Sequence, residues 1–208
     1  VKAIAPMIEL LGQNQADLMA LVQRLGFPVF RGKQIHNWLY QQGATSFDEM
    51  TNLPKAVRER LAQETRVGGV RLEETVEGSD GSTKILWRLH DGQGVEGVLM
   101  PSENRWTLCV SSQAGCALGC RFCMTGDGGF RRDLTKGEIV SQALQARQWL
   151  AKRDDPLTNL VFMGMGEPLL NLDNVIPALE LMQDDLAFCI SKRRVTVSTA
   201  GVVQGIDK

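Results

Sequence analysis

Three cysteines within eight residues of one loop are the strongest chemical signal in the sequence. Cys116, Cys120 and Cys123 follow the spacing C-x3-C-x2-C. Thiolates this close in sequence cannot easily bridge one another, but they can bind three irons of a cubane cluster and leave the fourth iron open. An open metal position is available to a substrate or cofactor. The spacing therefore predicts a [4Fe–4S] cluster with one free iron.

A zinc site is the alternative interpretation of the same cysteines. It would need a fourth ligand, for which the candidates are His36, His90, Cys109 and Cys189. C-x3-C-x2-C is not a usual zinc spacing, and the small residues between the ligands suit a tightly wrapped loop. The cluster is therefore the favoured interpretation. Because no disulfide framework is evident, the cysteines also predict a reducing, cytoplasmic location.

Strands and helices alternate around the cysteine loop. Strands are predicted at 106–111, 159–163 and 194–198, and helices at about 135–151 and 175–183. This alternation predicts a parallel sheet, in which functional residues lie at the carboxyl ends of the strands. The cysteine loop and the loops at 164–171 and 199–201 all follow strands. We therefore expect these three loops to meet at one edge of the sheet.

The first hundred residues have a different pattern. Helices are predicted at 17–25, 31–42 and 54–65, followed by a three-stranded antiparallel meander at 70–76, 84–89 and 95–100. The predicted division is a helical unit at 1–66, a β extension at 67–101 and an α/β unit at 102–208. Because three parallel strands cannot close a barrel, the α/β unit is predicted to be the N-terminal part of a longer protein.

Composition excludes few classes of protein. The chain has 208 residues, 43% hydrophobic and 23% charged, with a formal net charge of −1, which is an ordinary globular balance. No apolar run is long enough to predict a membrane span, and no basic leader is evident at residues 1–11. The near-neutral net charge gives no general support for nucleic-acid binding, so such binding would depend on local basic patches.

Four longer segments carry a family resemblance. They are WTLCVSSQAGCALGC at 106–120, GFRRDLT at 129–135, MGMGEPLLN at 163–171 and SKRRVTVSTAGVV at 191–203. Together they resemble the radical S-adenosylmethionine (SAM) superfamily and, within it, the RlmN/Cfr family of RNA adenine methyltransferases, from about Phe27 onward. The resemblance implies an incomplete (βα) radical-SAM partial barrel with a small helical accessory domain and an antiparallel β extension. It also implies two cofactors, a [4Fe–4S] cluster and SAM.

The resemblance implies SAM contacts at four positions. Gly166 and Glu167 would accept hydrogen bonds from the SAM ammonium group, a charge-assisted contact. Ser198 would reach the SAM carboxylate or ribose, and Phe122 would pack beside the cofactor. By residue type alone, Ser198 fits a capping role better than a SAM contact, and Phe122 equally fits a hydrophobic core.

The resemblance also implies two catalytic residues outside the cluster motif. Cys109 matches a cysteine whose thiolate forms a disulfide with a second, methyl-carrying cysteine and so releases the methylated RNA. That second cysteine is expected beyond Lys208. Glu96 matches an acidic residue proposed as a proton acceptor. By itself Cys109 fits a small buried hydrophobe, Glu96 fits a solvated strand charge, and Cys189 has no matching role and is predicted to be structural.

The implied substrate is RNA. The family methylates C2 of an adenosine in 23S rRNA, often also a tRNA adenosine beside the anticodon, and a related branch methylates C8. The segment Met124-Thr-Gly departs from the Ser-Thr-Ala common in the C2 branch, so C8 methylation stays an alternative, as does another radical SAM reaction. An external electron donor and a monomeric state are also implied.

Local basic residues are candidates for phosphate contacts. They are Arg131, Arg132 and Lys136, the run Lys192, Arg193 and Arg194, and, on the helical unit, Arg31, Lys33 and Lys55. Charge clusters of this kind are also common on plain solvated faces.

Overall fold

The N-terminal unit is helical, as predicted. The computed structural model describes residues 7–207. Lys208 and residues 1–6, which belong to the segment examined above for a basic leader, lie outside the described residues. In chain order the elements are β1 (Ile8–Glu9), α1 (Gln15–Arg24), α2 (Phe30–Asn37), a π-helical turn (Trp38–Gln42), α3 (Lys55–Glu64) and β2 (Thr65–Arg66). The three predicted helices are confirmed, and the second ends at Gly43, whose φ of 66° is the left-handed conformation expected at a helix end.

Six of the remaining strands form one mixed sheet, and the other two form a separate short pair. The remaining elements are β3 (Arg71–Glu77), β4 (Thr83–Arg88), β5 (Gly94–Ser102), β6 (Arg105–Cys109), β7 (Gln113–Ala114), α4 (Met124–Asp127), β8 (Arg132–Asp133), α5 (Lys136–Ala151), β9 (Asn159–Phe162), a 3-10 turn (Pro168–Leu170), α6 (Leu172–Gln183), a second 3-10 turn (Lys192–Arg194), β10 (Val195–Val197) and α7 (Val203–Ile206). The six-stranded sheet has the order β10-β9-β6-β5-β4-β3, and β7 pairs separately with β8.

The predicted parallel and antiparallel parts both exist, but they share one sheet. β6, β9 and β10 are parallel, whereas β3, β4 and β5 form the meander. The two parts join because β5 also pairs antiparallel with β6, with Val98 opposite Cys109. The predicted boundary between residues 101 and 102 falls inside β5, and the division into three units remains a prediction.

The two faces of the sheet differ in burial. Along β4, Thr83, Ile85 and Trp87 are buried, whereas Lys84 on the other face is exposed. The buried face packs against α5 and α6 within one continuous hydrophobic core that also takes in the N-terminal helices. The opposite face, which carries Lys84 and Glu96, is the open face of the sheet. None of the helices in residues 7–207 has the length and apolar character needed to cross a membrane.

The helical unit is stabilised internally by buried hydrogen bonds of Tyr40, and it contacts the α/β unit through Gln41. The Tyr40 hydroxyl is fully buried, accepts a hydrogen bond from the backbone N–H of Gly12 at 3.0 Å and donates to the carbonyl of Gln13 at 2.8 Å. Gln41 Nε2 donates to the carbonyl of Ala187, beyond α6, at 2.9 Å. The contact of Gln41, together with the shared hydrophobic core, makes the helical unit part of the same folded body.

Replacing Tyr40 with phenylalanine is expected to destabilise the fold. The change removes one hydroxyl and leaves the buried N–H of Gly12 and the carbonyl of Gln13 without that partner. Leaving such groups unpaired costs about 2 kcal/mol, which urea unfolding of the wild type and of Y40F measures. Equal free energies of unfolding would contradict the importance of these two bonds.

Candidate active site

The three predicted loops meet in one cleft at the carboxyl ends of β6, β9 and β10. The cleft has a volume of about 330 Å³. Its walls come from three places: the cysteine loop (Cys116, Leu118, Cys120, Phe122, Cys123, Thr125), the end of β9 and its following loop (Phe162, Met163, Gly164, Gly166, Glu167, Pro168), and the loop after β10 (Ser198, Thr199, Ala200). The topology thus brings the three cysteines together with the residues predicted to bind SAM.

Backbone contacts hold the cysteine loop in shape. The loop leaves β7 at Gly115 and returns at β8, and the N–H of Cys116 donates to the carbonyl of Gly129 at 3.3 Å. A side chain at Gly115 would place its Cβ 1.9 Å from that carbonyl oxygen, so the close approach requires glycine. The N–H of Cys123 donates to the carbonyl of Cys120 at 3.0 Å, which closes the turn between the second and third cysteines.

The thiols in this loop are accessible and suited to metal binding. Cys116, Cys120 and Cys123 are partly exposed free thiols. Hydrogen bonds from the backbone N–H groups of Gly126 and Thr125 lower the pKa of Cys123, which favours the thiolate that binds metal.

Three thiols of one loop make up the donor set at the cleft. Residues 7–207 contain no group of three His, Cys, Asp or Glu side chains gathered around one metal ion. In a cubane each of the three thiolates would bind a different iron. The four candidate fourth zinc ligands, His36, His90, Cys109 and Cys189, do not line the cleft. The donor set therefore fits a cluster with three protein ligands.

Glu167 is buried and its carboxylate links two loops. Its Oε1 accepts from the N–H of Leu169 at 3.0 Å, and its Oε2 accepts from the N–H of Ala200, in the loop after β10, at 2.8 Å. A carboxylate has about four acceptor sites, so capacity remains for a ligand ammonium group. The structure shows this linking function, and the predicted SAM contact remains a prediction.

Phe122 and Ser198 lie on opposite walls of the cleft. Phe122 is 93% exposed, so the alternative of a core position is wrong for this side chain. Ser198 follows β10 and is half-buried. Both side chains are positioned beside the space that a cofactor would fill, and their predicted contacts with SAM stay predictions.

Cys109 and Glu96 share the open face of the sheet. Residues opposite one another in an antiparallel pair point to the same face, so Cys109 lies on the face of Val98 and therefore of Glu96, two residues earlier on β5. Such diagonal neighbours are roughly 7–8 Å apart. The Glu96 carboxylate pairs with Lys84 Nζ at 2.8 Å, and both side chains are about half exposed, at 47% and 54%. Neither Cys109 nor Glu96 lines the cleft.

The Cys109 thiol is shielded from water. Burial raises its pKa, and a hydrogen bond from the backbone N–H of Met163 opposes that rise. The thiol is therefore protonated at neutral pH and needs a change in its surroundings to act as a nucleophile. Cys189, predicted to be structural, is instead exposed, with a φ of 57°, so that prediction is wrong.

The polar residues that lie beneath the cleft were not predicted from the sequence. Ser111 Oγ donates to the carbonyl of Glu96 at 2.6 Å and accepts from the N–H of Met165 at 2.8 Å. The Gln142 amide holds both the N–H and the carbonyl of Ser111 at 3.0 Å. Gln113, on β7, bonds both Asp133 and Glu167. These residues follow no recognisable spacing, because their partners lie between 15 and 54 residues away.

Arg132 has a structural role, which corrects one prediction. Its guanidinium donates to both oxygens of the Glu138 carboxylate at 2.8 Å and to Asp91 Oδ2 at 2.5 Å. The pKa of Arg132 is raised, first by the hydrogen bonds to Glu138. The prediction that Arg132 contacts phosphate is therefore wrong, because its charge is already neutralised within the protein. Lys192, Arg193 and Arg194 are exposed.

Replacing Gly166 with alanine is expected to destabilise the loop after β9. Gly166 has a φ of 96°, and an added Cβ would lie 2.5 Å from Gln113 Cβ. Gly201, with a φ of 101° and nothing within 4 Å of an added Cβ, is the matched control. We expect G201A to lose about 1 kcal/mol through its backbone strain and G166A about 2 kcal/mol more through overpacking. Equal losses in chemical denaturation would show that the close contact with Gln113 is unimportant.

Two family models match the chain and define its class. The model described as "Ribosomal RNA large subunit methyltransferase N-terminal domain" matches residues 8–67, and that of the "Radical SAM superfamily" matches residues 110–206. The first covers the helical unit, and the second covers the cysteine loop and strands β9 and β10. Fold, cleft and family models thus agree on a protein of the radical SAM class with a mixed α/β structure.

Two curated relatives identify the family within this class. It is 51% identical over 201 residues to "Dual-specificity RNA methyltransferase RlmN" of Halorhodospira halophila, covering 97% of this chain and 55% of the relative. It is 46% identical to the protein of the same name from Marinobacter nauticus, covering 98% and 56%. The chain belongs to the RlmN family of radical SAM proteins, and it spans about half the length of these curated relatives.

A solved structure agrees with this placement. "Crystal Structure of a radical SAM methyltransferase from Sphaerobacter thermophilus" superposes with a TM-score of 0.91 at 40% identity. The match covers 97% of this chain and 59% of that one. The fold described above is therefore shared with a radical SAM methyltransferase.

Proposed function

We propose that this chain is the N-terminal part of an RNA methyltransferase that adds a methyl group to C2 of an adenosine in 23S rRNA and of a tRNA adenosine beside the anticodon. One observation carries the proposal: the three cysteines, Glu167 and Ser198 line one cleft in a chain of the RlmN family. Relatives in that family are named dual-specificity RNA methyltransferases. A cytoplasmic location and a monomeric state belong to the same proposal.

The cleft would hold both cofactors. Cys116, Cys120 and Cys123 would bind a [4Fe–4S] cluster, and the Gly166–Glu167 segment and Ser198 would bind SAM across from it, with Phe122 packed alongside. Once bound and reduced by an external electron donor, the pair supplies a carbon-centred radical. The protein's own contribution is to fix the SAM-binding wall of the cleft, where the buried Glu167 carboxylate joins the loop after β9 to the loop after β10.

The open face of the sheet would receive the target base. Cys109 and Glu96 lie on that face as diagonal neighbours, so one substrate can contact both. Glu96, which pairs with Lys84, would accept a proton. The Cys109 thiolate would attack the sulfur of a second cysteine that is bonded through its methylene carbon to the RNA. The S–S bond forms as that S–C bond breaks, and the carbon takes up a proton and leaves as the methyl group of the product. Burial raises the pKa of the Cys109 thiol, so this attack requires a change in its surroundings that favours the thiolate.

The remaining part of the protein would complete the fold. We propose that the sheet is the first part of a radical-SAM partial barrel, which further strands extend beyond β10. The helical unit, with exposed basic residues such as Lys33 and Lys55, would contact RNA, and Lys192–Arg194 would contact phosphates near the cleft. A target base buried in an RNA helix must first leave its stack to reach such a pocket.

One experiment tests the whole proposal. The full-length protein is loaded anaerobically with iron and sulfide and incubated with SAM, a reductant and either 23S rRNA or tRNA. Mass spectrometry of digested RNA then identifies the methylated nucleoside. 2-Methyladenosine is the expected product. 8-Methyladenosine would favour the alternative that the Met124-Thr-Gly segment keeps open, and unmethylated RNA with SAM cleaved would indicate another radical SAM reaction.

A variant of Cys109 tests the proposed release step in the same experiment. We expect C109A to consume SAM but to leave RNA attached to the protein, because the thiol that completes release is missing. C189A, at an exposed cysteine outside the cleft, should release product normally. Equal product release by C109A and the wild type would contradict the proposed role of Cys109.

A further inference from the structure

A chain of hydrogen bonds crosses all three loops of the cleft, with Gln113 at its centre. Gln113 is 2% exposed, and both the nitrogen and the oxygen of its side-chain amide form hydrogen bonds. Its Nε2 donates to Asp133 Oδ1 at 2.7 Å, and its Oε1 accepts from the N–H of Glu167 at 2.8 Å. Glu167 in turn accepts from the N–H of Ala200 at 2.8 Å. The chain therefore links β8, β7, the loop after β9 and the loop after β10.

Gln113 strengthens the stem of the cysteine loop. β7 and β8 are two residues long each, and they pair Gln113 with Asp133 and Ala114 with Arg132. The intervening residues include all three cysteines of the cleft. Backbone bonds from Arg131 to Ala114 and from Leu134 to Ser112 also close this stem, and the side-chain bond from Gln113 to Asp133 adds to them.

Gln113 also supports the opposite wall of the cleft. Its N–H donates to the carbonyl of Met165 at 3.2 Å. Gly166 passes so close that an added Cβ would lie 2.5 Å from Gln113 Cβ. The loop after β9 therefore rests directly on this residue, which itself does not line the cleft.

We propose that Gln113 is a positioning residue that sets the distance between the cysteine loop and the Gly166–Glu167 segment, and through that distance the affinity for SAM. This inference rests on the function proposed above. Because the three cysteines belong to one loop, a shift between the walls leaves the cluster in place. It weakens only the ligand that must contact both walls. The loss of one supporting hydrogen bond of this kind is expected to weaken ligand binding about tenfold.

Substitutions that move the negative charge from position 133 to position 113 test the proposal. In Q113E the new carboxylate still accepts from the N–H of Glu167 but faces the carboxylate of Asp133. D133N keeps an acceptor for Gln113 and is the matched control. The double variant Q113E/D133N restores one donor and one acceptor in the reversed direction. All are made in the full-length protein, loaded anaerobically with iron and sulfide.

The measurements separate SAM binding from cluster binding. Iron content reports the cluster, equilibrium dialysis gives the dissociation constant for SAM, and the electron paramagnetic resonance spectrum of the reduced cluster, with and without SAM, reports their contact. We expect Q113E to keep its iron, to bind SAM about tenfold more weakly and to show a smaller spectral response to SAM. D133N and the double variant should bind SAM within about twofold of the wild type.

Three outcomes would overturn the proposal. Normal SAM affinity in Q113E would show that the bond does not set the geometry, and a defect that persists in the double variant would show that the charge exchange is not its cause. Loss of iron from Q113E would show a general structural role. A wild-type protein that itself holds no cluster or binds no SAM would instead refute the proposed function, and this inference with it.

Discussion

Replacing Cys123 with alanine in the full-length protein is expected to remove the cluster and to abolish SAM cleavage and RNA methylation. The backbone N–H groups of Gly126 and Thr125 lower the pKa of Cys123, which favours the thiolate that binds metal. With two cysteines left in the loop, a cubane loses one of its three protein ligands. Iron analysis should show a fall from about four irons per chain to fewer than one.

Cys189 provides the control for that substitution. It is an exposed free thiol after α6 and is not part of the cleft. C189A should keep the iron content and the methylation rate of the wild type. Full activity in C123A would contradict the assignment of the cluster to this loop, and loss of iron in C189A would reopen the choice of ligands.

Replacing Arg132 with methionine is expected to lower the free energy of unfolding by about 3 kcal/mol. The variant leaves the carboxylate of Glu138, 1% exposed at the start of α5, without its bidentate partner. A buried charge that loses its partner is among the most costly single changes in a protein. Chemical denaturation measures the loss. R131M removes an exposed positive charge next to it and should change stability by less than about 0.5 kcal/mol.

The difference in unfolding free energy between the wild type and R132M should become smaller as the pH falls. Burial opposes the ionisation of Glu138, but hydrogen bonds from Arg132 and from the N–H of Thr135 outweigh it and lower its pKa below the usual 4.5. The stabilising contribution of Glu138 is therefore present above that value and is lost as the pH falls through the lowered pKa. The difference between the wild type and R132M should narrow from about pH 5 toward about pH 3. A difference that is constant over this range would contradict the ion pair as its source.

Much of the local structure was predictable because its causes are local. Apolar residues at helical spacing, such as Leu18, Leu21 and Val22, are buried on α1 as expected. Gly43 ends the second helix, and turn sequences separate the strands of the meander. The capping box of α1, formed by Asn14 and Asp17, and the π-helical turn before Gly43 were not predicted.

The candidate site was predictable in outline. Loops that follow parallel strands meet at one edge of the sheet, so the alternation of strands and helices was enough to bring the cysteine loop to Glu167 and Ser198. The placement of Glu96 and Cys109 outside the cleft was not predictable. It depends on the antiparallel pairing of β5 with β6, and no periodicity in the sequence indicates which strand of the meander joins the parallel strands.

The three-cysteine spacing, the type and order of the main elements and the resemblance of the chain to its family can all be read from the amino-acid sequence. The hydrogen bonds of the side chains beneath the cleft depend instead on how the chain folds in three dimensions. Gln113 bonds Glu167 across 54 residues, and Glu167 bonds Ala200 across 33. Helical and strand periodicity act over a few residues, whereas these bonds form only once distant loops lie side by side.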